Sequence, residues 1–358
     1  MTRNIDRMRR RVAALGVSFR PHVKTAKSLD VAQRLMPTSG GPITVSTLKE
    51  AEQFFAHGVT DILYAVGIAP AKLSHVADLR VRGCDLSVIL DGVEAAREVS
   101  AFAGTHRREI PVLIEIDSDD HRGGVKPESP ELLAIAGALR EGASVRGVMT
   151  HAGASYACRT TDAIVAMAEQ ERAAVVRAAA RLRQAGFAAP VVSVGSTPTA
   201  TFARALPGVT EVRTGVFVFQ DLVMAGLGVC AIDDIALSVL VSVIGHQREK
   251  GWILTDGGWM AVSRDRGTAR QAIDRGYGLV LDVDGGLLEG FVMSDANQEH
   301  GILSRGDDGP IDWARFPVGA RLRVLPNHAC ATAAQHAAYH VVNGSRDILA
   351  RWERFGGW

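Results

Sequence analysis

Three groups of residues have the types and spacing to do chemistry. The first is Arg20-Pro21-His22-Val23-Lys24-Thr25-Ala26-Lys27, at the end of the first recognisable strand. In a (β/α)8 barrel the strand C-termini carry the active site. A lysine placed there, partly desolvated and near other cations, has a lowered pKa and becomes nucleophilic. A basic strand-to-helix turn on the surface accounts for the same residues. The second is Val194-Gly195-Ser196-Thr197-Pro198-Thr199, between an apolar strand and a helix. Its backbone N–H groups and hydroxyls suit a phosphate, and simple capping with Pro in the first turn suits them equally. The third is Asn327-His328-Ala329-Cys330. In an extended segment side chains at i and i+2 share a face, so His328 and Cys330 can reach one ion. Imidazole nitrogen with thiolate suits Zn2+ best. Glu299 and His300 are candidates for the remaining positions. A buried thiol beside an unrelated histidine is the competing reading.

Other polar groups read as structural. His336 and His340 lack the glutamate of a zinc-protease helix. Asp233-Asp234 and Asp117-Ser118-Asp119-Asp120 could form carboxylate pairs but read as solvated loop charges.

Elements must position these groups. Up to about residue 230, short apolar runs alternate with helical stretches. Strands are expected at Ser18–Val23, Thr44–Val45, Ile62–Tyr64, Leu86–Leu90, Val112–Ile116, Val145–Met149, Val191–Val194, Glu211–Val212 and Phe217–Phe219. Helices are expected at Leu48–His57, Pro70–Arg82, Gly92–Ala103, Pro130–Glu141, Asp162–Ala185 and Thr199–Ala205. This alternation argues for βαβ units and a parallel sheet. About eight units fit the arithmetic of a (β/α)8 barrel; a doubly wound sheet competes. The remainder is expected to be mostly β, with strands at Ala236–Ile244, Trp252–Leu254, Gly278–Val283, Leu287–Val292, Arg321–Val324 and His340–Val342. Asn343-Gly344 signals a hairpin, and Gly301–Pro310 reads as a surface loop. The expected domains are residues 1–232 and 233–358.

Composition excludes some functions. With 40 Lys+Arg against 39 Asp+Glu among 358 residues, no global field exists to hold nucleic acid. The four cysteines, Cys84, Cys158, Cys230 and Cys330, form no CxxC, so a reducing cytoplasm fits better than a disulfide framework. No stretch reaches the ~18 uncharged apolar residues of a membrane span. The N-terminus has charge but no apolar h-region, so it is not a secretion signal. It reads as an amphipathic helix with Ile5, Met8, Val12 and Leu15 on one stripe.

Taken together, PHVKTAK, GSTPT and the late HAC resemble the D-serine dehydratase and D-threonine aldolase family. These are alanine-racemase-like, fold type III enzymes that use pyridoxal 5'-phosphate (PLP). Further segments are similar in the same order. EIDSDDHRGGV carries Arg122 where the family has a cofactor-contacting arginine. GVMTHAGASY, ending at Tyr156, resembles its HxGxSY segment. EVRTGVFVFQD, with Gly215, resembles its RPGNYVFxD strand, and DGGWMAVSRDRG its DxGxKxxSxDxG segment. The ending, from Trp352 to Gly357-Trp358, fits as well.

The resemblance implies a PLP-binding (β/α)8 barrel followed by a β domain. Lys24 would be the Schiff-base lysine. His22, Arg122, Tyr156 and Gly215 would line the cofactor, and Gly195, Ser196 and Thr197 would hold its phosphate. His328 and Cys330 would bind a divalent metal, Zn2+ by preference, beside the substrate's β-hydroxyl. A cytoplasmic homodimer with sites at the subunit interface is implied. The substrate would be a D-3-hydroxy amino acid. Dehydration of D-serine or D-threo-3-hydroxyaspartate would give a 2-oxo acid and ammonia; aldol cleavage would give glycine and an aldehyde. Cys330 favours dehydration, because aldolases usually have His-x-Asp there. A racemase would need a second base and no metal, and a PLP carrier would lack the second domain. Three departures stand out. The TPxLxxD strand is missing, so the start is late or the barrel lacks its opening strand. Val216-Phe217 replace Asn-Tyr, and Ala26 replaces a histidine.

Overall fold

The computed structural model describes residues 1–307 and 309–357. Asp308, inside the expected surface loop, and Trp358, in the resembling ending, lie outside the described residues. The first part of the chain runs α1 (Thr2–Ala14), β1 (Ser18–Phe19), α2 (Leu29–Leu35), β2 (Ile43–Val45), α3 (Leu48–Ala56), β3 (Asp61–Gly67), α4 (Leu73–Val81) and β4 (Asp85–Leu90). It continues with α5 (Val93–His106), β5 (Ile110–Glu115), α6 (Glu131–Ala138), β6 (Ala143–Met149), α7 (Thr161–Gln184), β7 (Val191–Val194), α8 (Thr197–Phe202) and β8 (Glu211–Val212).

The eight strands pair in parallel in the order β1-β8-β7-β6-β5-β4-β3-β2. The β1–β2 seam is joined by a bridge between His22 and Thr44. There Thr44 N–H donates to Pro21 and Val23 N–H donates to the Thr44 carbonyl, each at 2.9 Å. The sheet is thus the barrel, not the doubly wound alternative. The barrel does not lack an opening strand, since all eight lie between Ser18 and Val212. Buried on both faces, such strands read as apolar runs, and every residue of β5 is buried. Helices start where sequence permits: Thr47 caps α3 by accepting from Glu50 N–H at 3.0 Å, and Thr160 caps α7 by accepting from Ala163 N–H at 3.2 Å.

Two expectations for this part need correction. Ser18–Val23 is a strand only as far as Phe19; beyond it the chain bends into the Pro21–Lys27 turn region, although His22 N–H still reaches the Thr214 carbonyl at 2.8 Å. Phe217–Phe219 is not a strand. Val216–Val218 form a 3-10 turn with all three side chains buried, so burial rather than pleating explains their apolar character.

The second part contains α9 (Leu222–Gly226), β9 (Val239–Gln247), β10 (Trp252–Thr255), α10 (Trp259–Val262), β11 (Gly278–Asp282), β12 (Leu287–Ala296) and β13 (Gly301–Arg305). It ends with β14 (Arg321–Pro326), α11 (Ala329–Ala333), β15 (Ala338–Val341) and β16 (Ala350–Glu353). Strands β10-β13-β12-β11-β14-β9 close an antiparallel barrel around Val241, Ile253, Val280, Met293, Leu303, Phe316 and Val324. Strands β15 and β16 pair separately, joined by a connection longer than the tight turn expected at Asn343-Gly344.

The expected loop at Gly301–Pro310 is also corrected, because its first half is β13, an interior barrel strand paired to both β10 and β12. Gly301 is part of the packing: a Cβ there would lie 2.5 Å from the Gly257 carbonyl oxygen. By contact density the chain divides into Ile5–Gly215 and Val216–Gly356, the latter joined by Met1–Asn4, where Asn4 Nδ2 donates to the Asp234 carbonyl at 2.7 Å. Among the described residues no helix is long and apolar enough to cross a membrane.

Leu303 is fully buried in β13. Leu303→Ala should therefore cost about 2–5 kcal/mol of unfolding free energy by denaturant titration. A cost typical of an exposed loop, within about 0.5 kcal/mol of zero, would contradict the strand assignment.

Candidate active site

The C-terminal ends of the barrel strands carry most of the residues singled out above. Register explains why. Val194 and Val212 are partners in β7 and β8, so Gly195-Ser196-Thr197 and Arg213-Thr214-Gly215 leave the sheet side by side. Arg213 N–H donates to the Val194 carbonyl at 2.7 Å. A Cβ on Gly195 would sit 1.7 Å from the Arg213 carbonyl oxygen, so only glycine fits. A Cβ on Gly215 would sit 2.7 Å from the His22 carbonyl oxygen. These two close approaches bring the loops after β1, β7 and β8 together.

Arg213 is buried, with 4% exposure. Its guanidinium donates to the Thr150 carbonyl at 2.6 Å and to the Ser193 hydroxyl. Ser193 in turn donates to Glu211 at 2.6 Å, and the other Glu211 oxygen accepts from Arg20 at 2.9 Å. Arg20 also pairs with Asp61 at 2.6 Å. Burial pushes the Arg213 pKa down, while Glu211, Glu171 and Glu115 pull it back.

Lys24 is exposed, and its backbone N–H faces His22 Nδ1 at 3.4 Å. Burial, then the Lys24 ammonium and Arg213, hold His22 well below the ordinary histidine range. His151, after β6, has Nδ1 at 2.6 Å from the Gly195 carbonyl. A carbonyl only accepts, so Nδ1 carries the hydrogen. Burial and then Lys24 push His151 down to about 3. Both imidazoles are therefore neutral at neutral pH. Tyr156 lies near His151, ring centroids 6.2 Å apart. Arg122 is exposed and pairs with Glu115 at 3.2 Å, at the end of β5, and its charge also reaches His151.

The Gly195–Thr199 segment shows the capping expected of it. Ser196 is the N-cap of α8 and accepts from Thr199 N–H at 3.2 Å. Yet among the described residues the buried hydroxyls of Thr197, Thr214 and Thr44 have no hydrogen-bond partner. Unpaired buried hydroxyls are costly, and a group rich in acceptor oxygens relieves that cost. A phosphate therefore fits the ends of β7 and β8.

The second unit holds the third group. His328 is extended but Cys330 lies in the first turn of α11, so the i, i+2 extended geometry expected there is corrected. The helical turn still leaves the two side chains within hydrogen-bonding reach. His328 Nδ1 lies 2.6 Å from Asp265 Oδ2. Burial alone would push His328 down; Asp265 and the Cys330 sulfur override it and raise it to about 11. Asp221, buried, accepts from Met224 N–H and Ala329 N–H at 2.9 Å, and burial pushes it up to about 6.

Among the described residues no cluster of three or more His, Cys, Asp or Glu has metal-holding geometry. The imidazole–thiol pair, with a carboxylate on the other ring nitrogen, is nonetheless a donor set that fits Zn2+ with open positions. Glu299 and His300 do not join it; both are exposed at the β12–β13 turn. His336 bonds the Ala261 carbonyl at 2.9 Å, as a structural histidine does. His151, Arg213, Glu171, Asp265 and Asp221 were not singled out from sequence. The THAG and SRD segments contain His151 and Asp265, but their roles depend on partners distant in the chain.

A barrel with a lysine at its mouth and unpaired hydroxyls beside it, followed by a β domain, is the arrangement expected of the alanine-racemase-like class of PLP enzymes. The alanine racemase N-terminal domain model matches residues 1–222, and the serine dehydratase domain model matches residues 236–342. The chain belongs to this fold type III family and is a PLP-dependent lyase of its D-serine dehydratase and D-threonine aldolase group. It is 56% identical to the D-threo-3-hydroxyaspartate dehydratase of Delftia sp. strain HT23, over 100% of this chain and 95% of that one. The solved structure of that enzyme superposes with a TM-score of 0.97 over 100% and 95% of the chains. A cysteine-to-alanine mutant of D-threo-3-hydroxyaspartate dehydratase, solved in the metal-free form, matches with the same identity, coverage and TM-score. The D-serine dehydratase of Dictyostelium discoideum is 30% identical over 97% of this chain and 91% of its own.

The neutral histidines give a signed pH prediction. Unfolded histidine titrates near ~6.5, and folded His151 only near about 3, with His22 also lowered. Between those values the unfolded state binds more protons, so stability falls as pH drops below ~6.5. The melting temperature should decline from pH 7 to pH 5, less steeply in His151→Gln. Equal slopes in the two proteins would show that His151 is not held neutral.

Proposed function

We propose that this lyase acts on D-3-hydroxy amino acids, with D-threo-3-hydroxyaspartate or D-serine as substrate, and releases a 2-oxo acid and ammonia. The observation that carries the reading is Cys330 beside His328, whose ring is held by Asp265 at 2.6 Å. A sulfur ligand at this position favours dehydration over aldol cleavage. The dehydratase activity of the 56% identical relative supports the same choice.

When bound, PLP supplies an electron sink for charge left at Cα, and the divalent metal, Zn2+ in our reading, a Lewis acid at the β-hydroxyl oxygen. The chain's own residues do the rest. Lys24 would hold the cofactor covalently, and its Nζ would take the α-proton of the substrate. His22 and His151 remain neutral beside it, so they add no competing positive charge. Gly195, Ser196 and Thr197, with Thr214 and Gly215, receive the phosphate, a reading supported by the unpaired Thr197 and Thr214 hydroxyls. Arg122 and Tyr156 line the cofactor. Asp265 orients His328 as a carboxylate behind a metal-binding imidazole does, and Cys330 completes the protein's share of the ligands. Val216 and Phe217 pack apolar surface where the family has polar groups, so phosphate binding rests on the threonines. In our reading the protein is a cytoplasmic homodimer with its sites at the subunit interface.

The test is product analysis. Purified protein with PLP and Zn2+ is offered D-serine, D-threonine and D-threo-3-hydroxyaspartate separately. A 2-oxo acid with ammonia is expected from D-threo-3-hydroxyaspartate or D-serine; glycine with an aldehyde would overturn the dehydratase reading. EDTA should abolish turnover and Zn2+ restore it, and turnover that survives EDTA would remove the metal from the reaction.

A further inference from the structure

Glu171 stands in α7 among buried apolar residues such as Ile164, Ala168, Val175 and Ala178. It is itself buried, with 2% exposure. A carboxylate taken out of water is strongly penalised, and among the described residues no cation bonds this one directly. Among the described residues its hydrogen-bond partners are neutral. One oxygen, Oε1, accepts from Ala152 N–H and from Gly195 N–H, both at 3.1 Å. The other, Oε2, meets the Thr199 hydroxyl at 2.7 Å. One side chain thus ties the loop after β6 to the loop after β7. From Thr199 a chain of hydroxyls continues through Ser196 at 2.9 Å to Ser155 at 3.0 Å.

We propose that Glu171 is the positioning residue of the cofactor's phosphate cradle. It anchors the Ala152 and Gly195 backbones and sets the direction in which the Thr199–Ser196–Ser155 hydroxyls donate. This rests on the reading of Gly195–Thr197 as the phosphate site.

The direction follows from counting hydrogens. An ionised Glu171 takes the Thr199 hydrogen; Thr199 then accepts from Ser196, and the Ser196 hydrogen points away from any anion. A neutral Glu171 protonated on Oε2 donates to Thr199. Thr199 then donates to Ser196, and the Ser196 hydrogen is released. A phosphate needs donors, so it selects the second arrangement. Burial, which raises the Glu171 pKa, favours the same form. Glutamine reproduces that arrangement: its oxygen accepts from the two backbone N–H groups and its amide donates to Thr199.

The experiment uses the full-length apoprotein of wild type, Glu171→Ala and Glu171→Gln, titrated with PLP and separately with pyridoxal, which lacks the phosphate. Affinities are read by fluorescence quenching, with thermal melting alongside. If wild type binds PLP no tighter than pyridoxal, the phosphate reading itself fails, whatever Glu171 does. Given that preference, Glu171→Ala should weaken PLP by ~10-fold or more, the scale of one charge-assisted hydrogen bond, and change pyridoxal by less than ~3-fold. Glu171→Gln should stay within ~3-fold of wild type for both ligands. Unchanged PLP affinity in Glu171→Ala, or equal losses for PLP and pyridoxal, would overturn the proposal, as would a Glu171→Gln protein as weak as Glu171→Ala. Should Glu171→Ala fail to fold, Thr199→Val cuts the same link from the other side and is read by the same criteria.

Discussion

A guanidinium inside the barrel wall is the constraint on which the site depends. Arg213 is almost fully buried, and an uncompensated buried cation would cost several kcal/mol. Compensation comes from Glu211 through Ser193, and from Glu115 and Glu171 at longer range. Satisfying its N–H groups fixes where β6, β7 and β8 end, because the partners are the Thr150 carbonyl and the Ser193 hydroxyl. The same residue dictates Gly195, whose Cβ would overlap the Arg213 carbonyl oxygen. Burial first, then the charge of Lys24 and, more weakly, that of Arg213, keep His22 and His151 neutral.

The two candidate sites gather different groups. The barrel mouth concentrates cations, hydroxyls and neutral imidazoles, a setting suited to an anionic cofactor. The β unit gathers Asp221, Asp265, His328 and Cys330, a setting suited to a divalent cation. Each works through pairs that neither residue could make alone. Asp265 lies below its usual range because His328 bonds it, and His328 lies above its own because Asp265 and Cys330 surround it.

Much of this was legible in the sequence where the signal is local. Parallel strands buried on both faces leave apolar runs, so Leu86–Leu90 and Val191–Val194 were placed within a residue of their ends. Residues such as Lys24, Gly195 and His328 stand in short motifs and were singled out. Signals that depend on distant partners were not. Glu171 looks like one more charge on a helix, and its role rests on partners 19, 24 and 28 residues away. Asp265 meets His328 across 63 residues. Strand β13 was hidden because GILSRGDDGP carries glycines and charges typical of a turn, while Gly301 is required by a close backbone approach. Phe217–Phe219 misled for the opposite reason: an apolar run of three is as consistent with a buried turn as with a strand.

The claim that the barrel mouth around Lys24 is the cofactor site has a direct test. The PLP-loaded protein is reduced with borohydride, which fixes the cofactor to the lysine that carries it, and is then digested and mapped by mass spectrometry. The reduced pyridoxyl group is predicted on Lys24 alone. Its recovery on Lys27, Lys126 or another lysine, with Lys24 unmodified, would contradict the assignment.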